Sequence, residues 1–499
     1  MKKGFNLFAY WGKDFGMGKI AEYFYETLKD KFDLKRINVD LPTQSGREYE
    51  IKSDKPVYDI NIYFINAGGI KRAKSNLPPH YFYNKFEIGV WFWELEEFNP
   101  KYFEAFSYLD EIWVFTDFVK KSLEKVSPIS VKKLCLPYKI PKVKEKKEGD
   151  YFKFLVIFDF FSDFERKNPL GAIKVFRKAF GENKNVRLII KTLNSKSFPE
   201  YIDILKNEAE KSKNIRIIDE FWNREKFYKE MSSSNVYVSL HRGEGLGLNI
   251  LDSVFLNTIP VITKYGGIVE FLPEDYMFFI PYKIIKAKPV VSAYNFEKAR
   301  WADPEIDEAV RIIKFIYDNY ETALEEKERI RKYIKDKIKS CSLYRNIERI
   351  LKELRGVSLT KKTIPKKNIY TIFKEVLDGR KTRKILVFYS APEERVLRVI
   401  DSIKKAKGDI KIDLFGRKNR KLIEISDNFI EYSKGGFYYL REINHDLIQR
   451  IKVEKYNIII IPYNNSGEGY ENIIEIAMEF NAGVIMGITS NNDINYIKK

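Results

Sequence analysis

The sequence predicts an α/β protein built from three blocks of alternating strands and helices, each with a parallel sheet. Three observations carry this. Short apolar runs alternate with amphipathic stretches along nearly the whole chain, and strands separated by helices imply βαβ units. Glycine-bearing loops follow several of the strands and open helices. Two basic, proline-marked stretches of poor periodicity, Lys132–Lys147 and Val357–Lys367, punctuate the chain.

In the first block, Phe5–Tyr10 reads as a buried strand and Gly16–Asp30 as an amphipathic helix. Asp59–Ile65 is a second strand, ending in Asn66-Ala-Gly-Gly69; Glu87–Trp93 and Glu111–Thr116 are a third and fourth. The second block reads as strands Phe152–Phe158, Arg187–Lys191, Ile215–Ile218, Val236–Leu240 and Pro260–Thr263. Its helices are Pro169–Phe180, Arg224–Ser232 and Leu248–Phe255. Asp303–Arg355 reads as helical, with repeated Glu/Lys pairs at helical spacing. The third block has strands Lys384–Tyr389, Ile410–Phe415, Phe429–Tyr432, Asn457–Ile461 and Val484–Ile488, with helices Glu393–Ala406, Asn444–Val453 and Tyr470–Phe480.

The composition excludes several classes. With 44% hydrophobic and 32% charged residues across 499 positions, disordered and collagen-like chains are ruled out. No uncharged apolar run approaches the ~18 residues of a membrane span, and Lys13 and Asp14 cut short any signal-peptide core. Three histidines (His80, His241, His445) make a His-built zinc site improbable. Cys135 and Cys341 show no metal-type spacing, and so few cysteines suit a reducing, cytoplasmic setting. The net charge of +19 favours an anionic partner, whether phosphate, acidic membrane surface or nucleic acid; a Lys-rich solvated surface is the plain alternative.

Three loops could carry chemistry. In Tyr10-Trp-Gly-Lys-Asp-Phe-Gly-Met-Gly-Lys19, Gly16 and Gly18 let backbone approach an anion or sugar at a helix start. In Phe158–Pro169, Arg166 and Lys167 are adjacent cations read at a helix N-terminus, where positive charge makes sense if a phosphate intervenes; Lys191 could add a third. Ser239-Leu-His-Arg-Gly-Glu-Gly-Leu-Gly-Leu-Asn-Ile-Leu-Asp252 is the most informative. Gly243, Gly245 and Gly247 expose backbone N–H groups, and Glu244 and Asp252 stand eight residues apart, able to hold sugar hydroxyls. Strand ends converging there are where open α/β sheets bind ligands.

Residues 1 to about 355 resemble the glycosyltransferase family 4 group of GT-B enzymes. The matching pieces are Gly16-Met-Gly18, Gly89-Val-Trp-Phe-Trp-Glu94, Asp110-Glu-Ile-Trp-Val114, Arg166-Lys-Asn-Pro169, Leu240-His-Arg-Gly-Glu-Gly-Leu-Gly-Leu248 and Trp301-Ala-Asp-Pro304, in that order. The resemblance implies two Rossmann-like domains facing a cleft: an acceptor-side domain over residues 1–145 and a donor domain over 146–356 whose last helices pack back on the first. A linker (357–369) and an additional Rossmann-like domain (370–499) follow. It implies retention of configuration, no metal and no cofactor beyond the nucleotide-sugar donor.

Arg166 and Lys167 would then neutralise the diphosphate leaving group, and Glu244 would contact the transferred sugar. Asp252, where the family usually has Glu, would hold the ribose. Lys191, His241, Gly243, Gly245, Leu246, Gly247 and Leu248 would line the donor, and Gly16 and Gly18 would close over it. Glu94 and Trp93 are acceptor-side candidates, in a region that lacks the His of many members. The partners implied are a UDP- or GDP-sugar and a glycan, lipid-linked or protein-linked acceptor. Peripheral contact with an anionic membrane's inner face is the expected use of the charge, ahead of nucleic acid. A non-catalytic nucleotide- or sugar-binding protein on the same scaffold is the alternative. Pro462-Tyr-Asn-Asn-Ser-Gly-Glu-Gly-Tyr470 echoes the Gly243 loop, with Glu468 and Glu475 seven apart; a packing module is the plainer reading of this third block.

Overall fold

A computed structural model describes residues 4–13, 15–39, 53–75, 77, 81–82, 85–141, 150–356, 373, 376–377, 384–432, 443–463, 470–480, 482–488 and 494–498. The chain divides into two compact units, Met1–Ala73 with Phe86–Ile350, and Lys74–Lys85 with Leu351–Lys499.

The first unit holds two six-stranded parallel sheets. One is formed by β1 (Gly4–Ala9), β2 (Asp33–Asn38), β3 (Ile60–Tyr63), β4 (Phe86–Val90), β5 (Glu111–Val114) and β6 (Ser130–Lys133), in the order β2-β1-β3-β4-β5-β6. Its helices are α1 (Gly16–Leu28), α2 (Ala67–Ser75) and α3 (Asp117–Glu124). The inner strands β1, β3, β4 and β5 are buried nearly throughout, as in parallel sheets covered on both faces, whereas the edge strands β2 and β6 are polar and partly exposed.

The other sheet is formed by β7 (Phe152–Ile157), β8 (Val186–Thr192), β9 (Ile215–Asp219), β10 (Val236–Ser239), β11 (Ile259–Thr263) and β12 (Phe279–Ile280), in the order β12-β11-β10-β7-β8-β9. Its helices are α4 (Phe164–Lys167), α5 (Pro169–Phe180), α6 (Pro199–Ala209), α7 (Arg224–Ser232) and α8 (Leu248–Phe255). The strand order reverses between β7 and β10. At such a switch point the loops leaving the two strands diverge and open a crevice. Those loops are Phe158–Asn168 and Leu240–Gly247.

An antiparallel hairpin, β13 (Tyr282–Lys286) and β14 (Arg300–Pro304), precedes α9 (Ile306–Asp318), α10 (Tyr320–Ser340) and α11 (Leu343–Gly356). The chain returns to the first sheet's half where α11 begins. Tyr344 packs on Phe32 with ring centroids 5.7 Å apart, and Asn346 Oδ1 accepts the Cys135 N–H at 2.7 Å. Cys135 and Cys341 are disulfide-bonded, their Cα atoms 5.6 Å apart. The cysteines, read from their small number as suiting a reducing setting, are paired instead, and each lies at one of the two places where the chain passes between the sheets.

Other local expectations also change. Trp91–Trp93 lie beyond β4, in the loop at its C-terminal end. Asp303 and Pro304, read as the start of the helical segment, instead end β14, which pairs antiparallel with β13 and is anchored by the Ala302 N–H donating to Arg242 O at 2.9 Å. The Lys132–Lys147 stretch begins inside β6. The second stretch, Val357–Lys367, lies outside the described residues.

The second unit contains a sheet of β15 (Lys384–Phe388), β16 (Lys411–Gly416), β17 (Asn428–Glu431), β18 (Ile458–Pro462), β19 (Val484–Ile488) and β20 (Ile494–Lys498), in the order β17-β16-β15-β18-β19-β20. All pairings are parallel except β19 with β20. Helices α12 (Glu393–Ala406), α13 (Arg420–Ile425), α14 (His445–Val453) and α15 (Glu471–Glu479), among the described residues, complete a Rossmann-like block. Glu468 and its loop lie outside the described residues.

Candidate functional site

The crevice at the β7/β10 switch point is built around Asp163 and Asn168, the two non-glycine residues at positive φ that bracket α4 (φ 76° and 52°). Asp163 Oδ1 accepts the Arg166 N–H at 2.9 Å, and Oδ2 accepts the Val290 and Val291 N–H groups at 2.8 and 2.7 Å. Asn168 caps α5 by accepting from Gly171 N at 3.1 Å, and donates to Leu240 O at 3.1 Å. Arg166 and Lys167 therefore stand on a turn fixed to both the hairpin and the β10 loop. They occupy the last turn of α4, where the helix dipole favours cations. α5 starts at Pro169, as its sequence predicts, so the pair stands both in the last turn of α4 and immediately before the α5 N-cap.

The Arg166 guanidinium, 3% exposed, donates through Nε to Ser162 O (2.9 Å) and through Nη1 to Gly243 O (2.6 Å), and lies 5.2 Å over the Tyr294 ring. Tyr294 in turn donates to Glu94 Oε2 at 2.8 Å. Lys167 Nζ meets Glu244 Oε2 at 2.6 Å, and Glu244 Oε1 accepts from Gly247 N at 3.2 Å. Burial would raise the Glu244 pKa, but the charges of Lys167 and Arg166 outweigh it and hold the carboxyl down to about 2. The structure thus places the Arg166–Tyr294–Glu94 set beside the Lys167–Glu244 pair, close enough for the charge of Arg166 to act on Glu244.

His241 is fully buried, and both its nitrogens are engaged: Nε2 donates to Tyr265 O and Nδ1 accepts from Ser239 Oγ, each at 3.0 Å. It pins the loop rather than facing the crevice. Burial depresses its pKa to about 4. The native state therefore excludes a proton that the unfolded chain takes up near 6.5, so stability falls as pH drops from 6.5 towards 4. The expected loss is about 1.4 kcal/mol per pH unit, roughly 3 kcal/mol over the window. Thermal melts across this range should show the decline, and His241→Gln should flatten it.

The glycines do something other than expected. A Cβ on Gly243 would fall 2.5 Å from Glu94 O, and one on Gly245 2.5 Å from Trp93 O. These positions admit first-half backbone instead of forming an open phosphate cradle. Thr116 Oγ1 seals the contact by donating to Gly245 O at 3.0 Å. Gly247, at φ 82°, turns the chain into α8, and Leu246 and Leu248 are buried beneath it. Gly245→Ala should force the two halves apart, costing about 1–3 kcal/mol of stability in a thermal melt, because the obstructing atom is a carbonyl that no rotamer can move.

Asp252, 0% exposed, is not open to a ligand as it stands. Oδ2 meets Lys19 Nζ at 2.5 Å, and Oδ1 accepts from the Tyr138 hydroxyl at 2.7 Å. Lys191 lies one strand out from β7, buried, with its ammonium 5.7 Å over the Trp222 ring. Gly16 is exposed at the start of α1 with open space around it, whereas Gly18 packs on Lys13 O. Trp93 is a packing residue: its indole donates to Glu97 O at 2.8 Å and its ring meets Phe98 and Tyr294. Sequence reasoning missed Asp163, Tyr294, Lys19 and Tyr138. Asn168 before Pro169 carries a readable cap signal; Tyr294 has none. Among the described residues, no three His, Cys, Asp or Glu side chains gather in a way that could hold a metal ion.

No protein-family model matches the chain. No curated protein matches it in sequence. Solved structures do. Sucrose-phosphate synthase from Thermosynechococcus elongatus aligns over 72% of this chain and 100% of its own, with 10% identity and a TM-score of 0.50. The pneumococcal O-GlcNAc transferase GtfA, solved with UDP and GlcNAc, aligns over 60% of this chain and 56% of its own, with 14% identity and a TM-score of 0.40. This chain thus spans little more than half of that protein's length. At such identities the likeness is one of fold: the chain has a GT-B-type α/β architecture.

Proposed function

We propose that the chain is a retaining, metal-independent glycosyltransferase of the family 4 type, moving a hexose from a UDP- or GDP-sugar to a glycan, lipid-linked or protein-linked acceptor. One observation carries this reading: two adjacent cations, Arg166 and Lys167, held rigidly at the switch point of the second sheet with the ionised Glu244 against Lys167. Departure of a nucleoside diphosphate builds negative charge on the phosphates, and pre-oriented cations in a dry crevice stabilise it more than water does. Lys167 can exchange the Glu244 carboxylate for a phosphate oxygen, which frees Glu244 for the hydroxyls of the transferred sugar. Glu94, tied to Arg166 through Tyr294, faces the acceptor side. The charge of +19 supports an acceptor displayed on an anionic lipid surface. Among the described residues, no helix is long and apolar enough to cross a membrane.

The test is a panel of UDP-, GDP- and ADP-sugars incubated with the chain in the presence of a chelator, with NMR reading the anomeric configuration of the released or transferred sugar. Retention with one donor supports the proposal. Inversion, or turnover only with added divalent metal, contradicts it. Donor binding without any turnover favours the non-catalytic scaffold.

A further inference from the structure

The buried face of α1 carries Lys19, Glu22 and Tyr23 at helical i, i+3, i+4 spacing, and all three reach into the second half of the first unit. Glu22 Oε2 meets Arg224 Nη2 at 3.0 Å, and the Tyr23 and Tyr228 hydroxyls lie 3.5 Å apart. Lys19 goes deepest. Its ammonium sits on Asp252 and within 5.4–5.9 Å of the Tyr23, Phe227 and Tyr228 rings. Asp252 belongs to α8, yet both partners of its carboxylate come from outside the second sheet's own elements. Lys19 comes from α1, and Tyr138 from the segment crossing between the sheets. The carboxylate is thus aimed out of its own half, and a donor from the first half fills the position in front of it. An ammonium and a phenol offer what two vicinal sugar hydroxyls offer: hydrogen-bond donors to each carboxylate oxygen.

We infer that Lys19 is a specificity-setting plug: it occupies the Asp252 carboxylate when no donor is bound and must leave before the ribose of a nucleotide can be held there. The inference rests on the donor reading given above. It makes the cost of expelling Lys19 part of the nucleotide affinity. A ligand that cannot engage Asp252 through a ribose diol leaves Lys19 in place, so it neither bears that cost nor gains the carboxylate contact.

Calorimetric titration of UDP and GDP into the full chain tests it, with wild type, Lys19→Met, Lys19→Arg and Asp252→Asn compared. Lys19→Met should bind the preferred nucleotide at least about tenfold tighter, because the free state loses its internal competitor. Lys19→Arg, which keeps the plug, should stay near wild type, and Asp252→Asn should bind more weakly. The 2′,3′-dideoxy nucleotide should gain nothing from Lys19→Met. Should Lys19→Met not fold, Tyr138→Phe frees the other oxygen without stranding a charge and should tighten binding a few-fold. Equal or weaker binding by the plug variants, with wild type binding normally, overturns the plug alone. A wild-type chain that binds neither nucleotide overturns the donor reading and the plug with it.

Discussion

Replacing Lys167 with methionine is expected to lower the turnover number of glycosyl transfer by a factor of about 10²–10³, with Arg166→Ala at least as damaging. That is the usual cost of deleting one pre-oriented group that stabilises developing charge. The two variants differ in what else they disturb. The Lys167 side chain meets Glu244 alone among the hydrogen bonds and ion pairs described, so its loss should be read in donor binding and in turnover at saturating donor, with little change in melting temperature. Arg166 also ties Ser162 O and Gly243 O together, so its removal should lower the melting temperature as well. Arg166→Lys should not rescue, because a single ammonium cannot reproduce the two directions of the guanidinium fork. Steady-state kinetics and melts on the same preparations separate the effects.

Breaking the Cys135–Cys341 bond is expected to destabilise the first unit by about 2–5 kcal/mol, the usual range for removing a native disulfide that closes a long loop. The cysteines are 206 residues apart, and the bond joins both crossings between the two sheets. Its loss therefore relaxes the unfolded chain and the junction together. Cys341→Ser, the double serine variant and reduced wild type should melt at one common lower temperature, below the oxidised protein. Coincident melts of oxidised and reduced protein would show that the bond contributes nothing. Cys341 is exposed, so a dithiol reductant can reach it without unfolding the chain.

The parts of the site written in contiguous sequence were legible. Pro169–Phe180, Arg224–Ser232 and Leu248–Phe255 form helices over the residues their periodicity predicts, because local signals coincide there: a cap and proline before Pro169, a glycine loop before Leu248. The Gly243, Gly245 and Gly247 loop reads as exposing N–H groups to a ligand, but glycine says only that something comes near. Here it is the carbonyls of Trp93 and Glu94, some 150 residues earlier in the chain. Contacts between distant segments left no trace: Lys19 reaches Asp252 across 233 residues and Glu94 reaches Tyr294 across 200. Neither pair shares a period or spacing that one chain could reveal. The same limit hid the disulfide. Asp163 was missed for another reason. It works through two backbone N–H groups of the hairpin, and the hairpin itself was not read, because an exposed strand such as β13 lacks the buried alternation that marks strands.

We propose that the crevice between β7 and β10 is a nucleotide-sugar donor site whose cations replace a metal. The most direct measurement is equilibrium binding of UDP- and GDP-sugars by calorimetry in excess chelator, for wild type and Lys167→Met. The account predicts that wild type binds one of them without metal and that Lys167→Met binds it at least tenfold more weakly. Binding that requires a divalent ion, or that is indifferent to Lys167, would contradict it.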